Sequence, residues 1–470
     1  MTFGQFVSCD AIAGPAGAAA AGAEVDCVTT VCVVAVVVAG AVTTVVVVAS
    51  IEVVDAVEVE TTSRFVQNIT RSIAASMTTV RFTFSSFLSG RLSIRLRSMR
   101  PAQRLDGIEI SLIRQINALA TPLSVNLGIG EPNVEPDATL RDMARRATNV
   151  PWRYSANAGN LSLRKKIAEG THFDPKSEVC VTAGTEEALY AIFQAFVNPG
   201  DEVLIPNPGF ISYATVARMC GARPVPYELE PPDWSVDPTR LRFTKKTKLV
   251  IVNSPSNPLG AVIGDATMDA IARAAGKHDA LVVSDEVYRE LWFEEPPPSM
   301  LGRSPNVIVV NGMSKSHSMA GLRLGWILAA EPIMKPIITA HQYIATCASV
   351  FSQALAELVL DNSEWNRSWL ENVRAQFRTQ RDAALHSIEH ELGAKIPPPA
   401  GAFYAFVPVP SRDTLTFAKT LASDAAVLVI PGVAFGSAGE GFVRISFAAS
   451  LDQIGSGIER MGRWLRTAER

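Results

Sequence analysis

From about residue 150 onward, short apolar runs alternate with amphipathic stretches, and this alternation constrains the fold more than any other feature of the chain. The runs are Glu178–Thr182, Glu202–Pro206, Pro224–Glu228, Lys248–Asn253, Ala280–Asp285, Asn306–Asn311 and Gly325–Ala329. Most are continuous stretches rich in Val, Ile and Leu, as strands covered on both faces require. Between them lie helical patterns such as Glu186–Phe196 and Asp265–His278. The alternation predicts an α/β fold with a large domain, a mostly parallel seven-stranded sheet covered by helices. Ligands of such sheets bind at the carboxyl ends of the strands.

The flanking segments complete the expected organisation. Ile108, Ile110, Leu112, Ile113, Ile116 and Leu119 recur at helical spacing and predict a helix over 107–119. Ser352–Leu392 reads as one long helix. After a Pro/Gly break at Pro397–Gly401, strands near Phe403–Val407, Val427–Ile430 and Gly441–Ser446 indicate a smaller α+β domain. We therefore divide the chain into an N-terminal arm with part of the small domain (99–145), a large domain (146–345) and a C-terminal small domain (346–470).

Residues 1–98 do not resemble the rest. The first 63 residues hold seven acids and no Lys or Arg. Val28–Ile51 is a 24-residue uncharged run with twelve Val. Its length suits a membrane span, but Asp26 and Glu52 border it and no basic residue marks a cytoplasmic side. No positive region precedes it, as a secretory signal requires. The run is β-prone. Residues 64–98 then carry six Arg and no acid. We read 1–98 as an atypical extension arising from a misassigned start, with Met99 as the true start; a membrane anchor using 28–51 and a targeting segment are the alternatives, and membrane attachment is not the expected one.

Net charge is −3, and nothing in the body forms a basic nucleic-acid footprint. The six cysteines (9, 27, 32, 180, 220 and 347) show neither a CxxC pair nor a metal-ligand spacing with His. This pattern fits free thiols in a reducing, cytoplasmic compartment, and no metal site is expected.

Five segments at expected strand ends carry chemistry. In NGMSKSHSMAGLRLGW (311–326), Lys315 follows a strand, with Ser314 beside it and Arg323 eight residues on. A lysine so placed can form a Schiff base, and Ser and Arg can hold a phosphate, which together suit pyridoxal phosphate. In VTAGTEEAL (181–189), Gly184 permits a tight turn, and the amides of Thr185 and Glu186 at a helix start can bind an anion. In IPNPGFISY (205–213), Phe210 can cover a flat ring. In NSPSNPLG (253–260), Asn257 lies between turn residues and can donate to a phenolic oxygen. In SDEVYRE (284–290), Asp285 ends an apolar run, so it needs a cationic partner such as a protonated pyridine nitrogen. Tyr288 can reach the ring's phenolic oxygen. Each segment alone has a bland reading as a cap, a turn or core; their order along one sheet does not.

This set resembles the class I/II aminotransferases, the fold type I, aspartate aminotransferase-like family of pyridoxal-phosphate enzymes, over about residues 100–465. The resemblance implies that Lys315 bonds to the cofactor aldehyde and that Asp285 binds the pyridine nitrogen. Asn257 and Tyr288 would bond the 3′ oxygen, Phe210 would stack, and Gly184, Thr185, Glu186, Ser314 and Arg323 would form the phosphate cradle. Tyr154, in RYSANAGNLSLR, matches a tyrosine that reaches the neighbouring subunit's cofactor, so a homodimer with shared sites is implied. Arg444, in the apolar run GFVRISFAAS, matches the fork that grips the substrate α-carboxylate, with Asn257 and the backbone of Gly130 beside it. The implied reaction moves an amino group between an L-amino acid and a 2-oxo acid by a ping-pong mechanism. A lyase, decarboxylase or cyclase of the same fold, or a non-catalytic module that binds the cofactor, are the alternatives.

Three departures stand out. Gly312 occupies a position where some relatives carry a hydroxyl. Asn133-Val134 replaces the acidic-aromatic pair common after GEP. No clear second Arg is present for a side-chain carboxylate, which favours neutral or apolar substrates.

Overall fold

The computed structural model describes residues 33–38, 41–46 and 101–468. Contacts divide the chain into two units, 1–98 and 99–470. In the first, β1 (Val33–Val38) and β2 (Ala41–Val46) pair antiparallel, Val33 opposite Val46. Residues 33–38 and 41–46 of the valine-rich run thus form extended chain, as β-branched residues favour. The rest of the first unit and the expected start at Met99 lie outside the described residues.

In the second unit, β3 (Val125–Asn126) precedes the strands of the main sheet. These are β4 (Val179–Thr182), β5 (Glu202–Asn207), β6 (Arg223–Glu228), β7 (Thr247–Asn253), β8 (Leu281–Asp285), β9 (Val307–Gly312) and β10 (Gly325–Leu328). Every boundary lies within one residue of the expected position. The spatial order is β4-β10-β9-β8-β7-β5-β6. β10 runs antiparallel to β4 and β9, and all other pairings are parallel. Residues 313–324 join β9 to β10 without a crossover helix, which is why β10 reverses.

Both faces of the sheet are covered. Val250, Ile251 and Val252 are completely buried along β7, so successive side chains on opposite faces meet apolar partners. Each such burial contributes roughly 1.5–3 kcal/mol. The helix Thr185–Phe196 packs against the helix Glu331–Ala345. The remaining strands are β11 (Tyr404–Pro408), β12 (Val427–Leu428), β13 (Ile430–Pro431) and β14 (Phe442–Ser446). Their three-stranded sheet has the order β11-β14-β13, while β12 pairs with β3.

Three expectations need correction. The helix expected over 107–119 spans only Leu112–Asn117, because Gly107 adopts φ +72° and Ser111 caps the helix start by accepting the Arg114 amide. The single helix expected over 352–392 is two, Val350–Asp361 and Ser363–Leu392. Asn362 leaves helical geometry between them, and its side chain accepts from the Trp365 amide, the behaviour that makes Asn a helix breaker and cap. The strand expected over 427–430 divides at Val429 into β12 and β13, which serve different sheets.

Candidate active site

The site forms where β4, β7, β8 and β9 end. Asp285 closes β8 and is almost completely buried. Tyr213 donates its hydroxyl to Oδ2 at 2.7 Å, and the Val287 amide reaches Oδ1 at 3.3 Å. Among the described residues no cation pairs with it. Burial pushes the carboxyl up to about 6, with the Tyr213 bond opposing.

Lys315 follows β9 and donates from Nζ to the carbonyl of Gly130 at 2.8 Å. Burial and then the Arg444 charge lower its ammonium to about 8, while Glu131 and Asp285 pull the other way. Arg444 lies on β14 and is 1% exposed. Its Nη1 donates to Asn257 Oδ1 (2.9 Å) and its Nη2 to Gly128 O (2.6 Å), while Nε is buried without a partner. The guanidinium stacks over the Tyr404 ring, 4.4 Å from its centroid. The sequence demanded an anionic partner here, yet among the described residues Arg444 meets only neutral oxygens and aromatic faces. A buried guanidinium so placed is poised for an anion that arrives from outside.

Asn257 is fixed by its own amide, which donates to Asn253 Oδ1 at 2.8 Å, while Asn253 Nδ2 donates to the Asp285 carbonyl. Tyr288 is buried, and its hydroxyl lies 2.8 Å from that of Tyr404. Asp285, Asn257, Tyr288, Lys315 and Arg444 are therefore brought together.

The second end of the site is the turn after β4. Gly184 adopts φ +89°, and a Cβ on it would stand 2.6 Å from Nη2 of Arg323. The turn thus needs glycine twice, for conformation and for the approach of a guanidinium. Thr185 and Glu186 open the helix Thr185–Phe196, whose first amides lack intrahelical acceptors. Arg323 is itself left-handed (φ 52°), and its Nη1 donates to Ala320 O. Ser314 is buried next to Lys315. Phe210 is half-buried and meets Tyr213 edge-on, with centroids 5.7 Å apart. Tyr154 is not brought in: its side chain is 85% exposed.

The donor set fits pyridoxal phosphate. Asp285 is a buried carboxyl without a cation, Lys315 is an amine with a lowered pKa, and the glycine turn places free amides beside Arg323. Among the described residues no cluster of His, Cys, Asp or Glu could hold a metal ion.

Residues 124–460 match the family described as "Aminotransferase class I and II". The chain belongs to that family. It is an aminotransferase. It is 35% identical over 389 residues to an aspartate aminotransferase of Pyrococcus abyssi, covering 78% of this chain and 99% of that one. It is 33% identical over 389 residues to aromatic-amino-acid aminotransferase 2 of Thermococcus litoralis, with the same coverage. The structure of aspartate aminotransferase from Thermus thermophilus with maleate superposes with a TM-score of 0.73 at 33% identity, covering 78% of this chain and 100% of that one.

Sequence reasoning missed several residues of the aminotransferase site. Tyr213 stood inside the segment 205–213, three residues from Phe210, the spacing that puts two side chains on one helix face. Asn253 opened another quoted segment. Tyr404 had no such signal, because its place against Tyr288 and Arg444 depends on β11 lying beside β14.

Proposed function

We propose that this aminotransferase uses pyridoxal 5′-phosphate and moves an amino group between an L-amino acid and a 2-oxo acid by a ping-pong mechanism. One observation carries the reading. Asp285 and Arg444 are buried without an ionic partner among the described residues, and both act on the amine of Lys315 between the groups they would bind. When bound, the cofactor supplies an aldehyde for the amino group and a ring that accepts electrons. Asp285 would hold a proton at the ring nitrogen, Tyr288 and Asn257 would bond the 3′ oxygen, and Phe210 would cover the ring. Gly184, Thr185, Glu186, Ser314 and Arg323 hold the phosphate. Arg444, with Gly130 and Asn257, grips the substrate carboxylate. The ε-amine of Lys315 would take the proton from the substrate α-carbon and hold it for return.

A homodimer with shared sites is part of the proposal, with Tyr154 reaching the partner's cofactor. Its support is the exposure of Trp152 (85%), Tyr154 (85%) and Tyr343 (83%), large aromatics that a second copy would cover. The division into domains 99–145, 146–345 and 346–470 belongs to the same reading. A cytoplasmic location is supported by the unpaired Cys180, Cys220 and Cys347. Among the described residues no helix is long and apolar enough to cross a membrane. Substrates with neutral or apolar side chains are favoured by the lack of a clear second Arg.

The test is a panel of amino donors added to the reconstituted protein while the cofactor spectrum is followed. A donor should change the spectrum alone, and a 2-oxo acid should restore it. Release of ammonia and a 2-oxo acid without an acceptor would replace transamination by a lyase reaction.

A further inference from the structure

The turn that would hold the phosphate is tied from behind by two side chains outside the reaction. Glu187, in the first turn of the helix Thr185–Phe196, directs its carboxylate two ways. Oε2 accepts the backbone N–H of Ala183 at 3.1 Å. Oε1 pairs with Nδ1 of His341 at 2.9 Å. His341 is completely buried on the helix Glu331–Ala345, and its Nε2 has no partner among the described residues. The Glu187 contact is therefore the anchor of its ring.

These contacts decide which amides an anion can use. A helix start presents several free N–H groups, and any that a side chain occupies is lost to a ligand. Glu187 takes the Ala183 amide and so fixes the peptide entering the Gly184 turn. Thr182 Oγ1 fixes the other side by donating to Gly184 O at 3.1 Å. The amides of Thr185 and Glu186, in the first helical turn, have no intrahelical acceptor. A carboxylate this close to an anion site would repel the anion if it swung free. His341 holds it on the far side, against a second helix, where the side chain of Glu187 is only 11% exposed.

We propose that Glu187 and His341 are positioning residues for the cofactor phosphate, a buried strut that holds the 183–186 turn in its anion-binding form. The proposal rests on that turn being the phosphate site. A plain helix cap would stabilise the fold but would not distinguish a phosphorylated ligand from its dephosphorylated form.

Apo forms of the full chain, as wild type, Glu187→Ala, Glu187→Gln, His341→Ala and His341→Asn, are titrated with pyridoxal 5′-phosphate and with pyridoxal, which has the same ring and aldehyde but no phosphate. Losing the strut should raise the Kd for the phosphate ester on the order of 10-fold, as the loss of a charge-assisted hydrogen bond predicts, and change that for pyridoxal by less than about twofold. Glu187→Gln keeps an oxygen for the Ala183 amide and should fall between wild type and Glu187→Ala. Equal weakening of both ligands, or unchanged affinity for the phosphate ester, overturns the strut. If an alanine variant fails to fold, the Gln and Asn variants decide by the same ratio. A wild-type protein that binds neither ligand overturns the underlying reading instead.

Discussion

The phenol of Tyr213 donates a 2.7 Å hydrogen bond to Oδ2 of Asp285, and both groups are buried where β8 ends. A hydroxyl that donates to a carboxylate favours its ionised form, so this bond opposes the burial that raises Asp285. Tyr213→Phe should move the carboxyl above its present value of about 6. Cofactor affinity near pH 6–7 should then fall by about 10-fold and recover at higher pH, where Asp285 ionises regardless. Equilibrium titration of the apo variant across that range checks this. An unchanged pH dependence would show that the bond does not govern Asp285.

The same carboxyl makes the apo protein less stable as pH rises. Its folded value of about 6 lies above the ordinary carboxyl value of 3.8. Stability from this group is therefore complete below about pH 4 and lost as pH rises through about 6. At pH 8 the buried charge costs about 3 kcal/mol. Asp285→Asn removes that titration. In urea unfolding the apo variant should exceed apo wild type by about 1–3 kcal/mol at pH 8, with the gap narrowing toward pH 5. Activity should fall by about 10³-fold, because the ring nitrogen loses its counter-charge.

Lys315 is expected to lose its proton at lower pH than an ordinary lysine. Burial and Arg444 hold it at about 8, so the reactive form rises as pH climbs through 8. Capture of pyridoxal phosphate by the apo protein, trapped by borohydride, should follow that midpoint. Lys315→Ala should abolish trapping at this position, read by peptide mass analysis, and lower turnover by about 10⁴-fold. A midpoint near that of an ordinary lysine would show that the amine is not desolvated.

The proposed grip of Arg444 on the substrate carboxylate predicts different losses for amino acids and for simple amines. Lysine at this position would lose the planar fork and the stacking on Tyr404. Arg444→Lys should lower kcat/KM for amino acids by about 10²–10³-fold. Amines without a carboxylate should be affected far less. An equal loss for both would mean that Arg444 supports the site's structure rather than the substrate.

The seven strands and the residues at their ends were legible because both depend on local pattern: uniform Val/Ile runs, then Gly, Asn, Asp or Lys where a strand stops. Lys315, Asp285 and Asn257 lie at strand ends of one sheet as their positions implied, whereas Arg444 joins Asn257 from β14, which local pattern did not place. What the sequence concealed came from contacts between distant segments. Tyr404 reaches Tyr288 only through the β11–β14 pairing, and His341 meets Glu187 across 154 positions. The break at Asn362 was hidden for another reason. Apolar spacing continues through it, and only the backbone reveals that the side chain caps a new helix.

Gly312 illustrates how a departure from relatives is built into packing. A hydroxyl at this position could add a phosphate contact only if the backbone around it left room. In the structure Gly312 pairs with Gly325 across β9 and β10, and a Cβ on it would lie 2.7 Å from Leu324 O and 2.9 Å from Gly325 Cα. Both are backbone atoms at the start of β10, a strand held on two sides by β4 and β9, and cannot give way cheaply. Gly312→Ser should therefore destabilise the protein by about 1–3 kcal/mol through overpacking. Cofactor affinity should stay level or weaken, because shifting β10 also disturbs Arg323, just before it, and Gly325, whose own Cβ would meet the Thr185 amide at 2.8 Å. Thermal unfolding and cofactor titration of the variant decide the matter. A more stable protein that binds the cofactor more tightly would mean that the sheet accommodates the hydroxyl and that the glycine is not required by the β9–β10 packing.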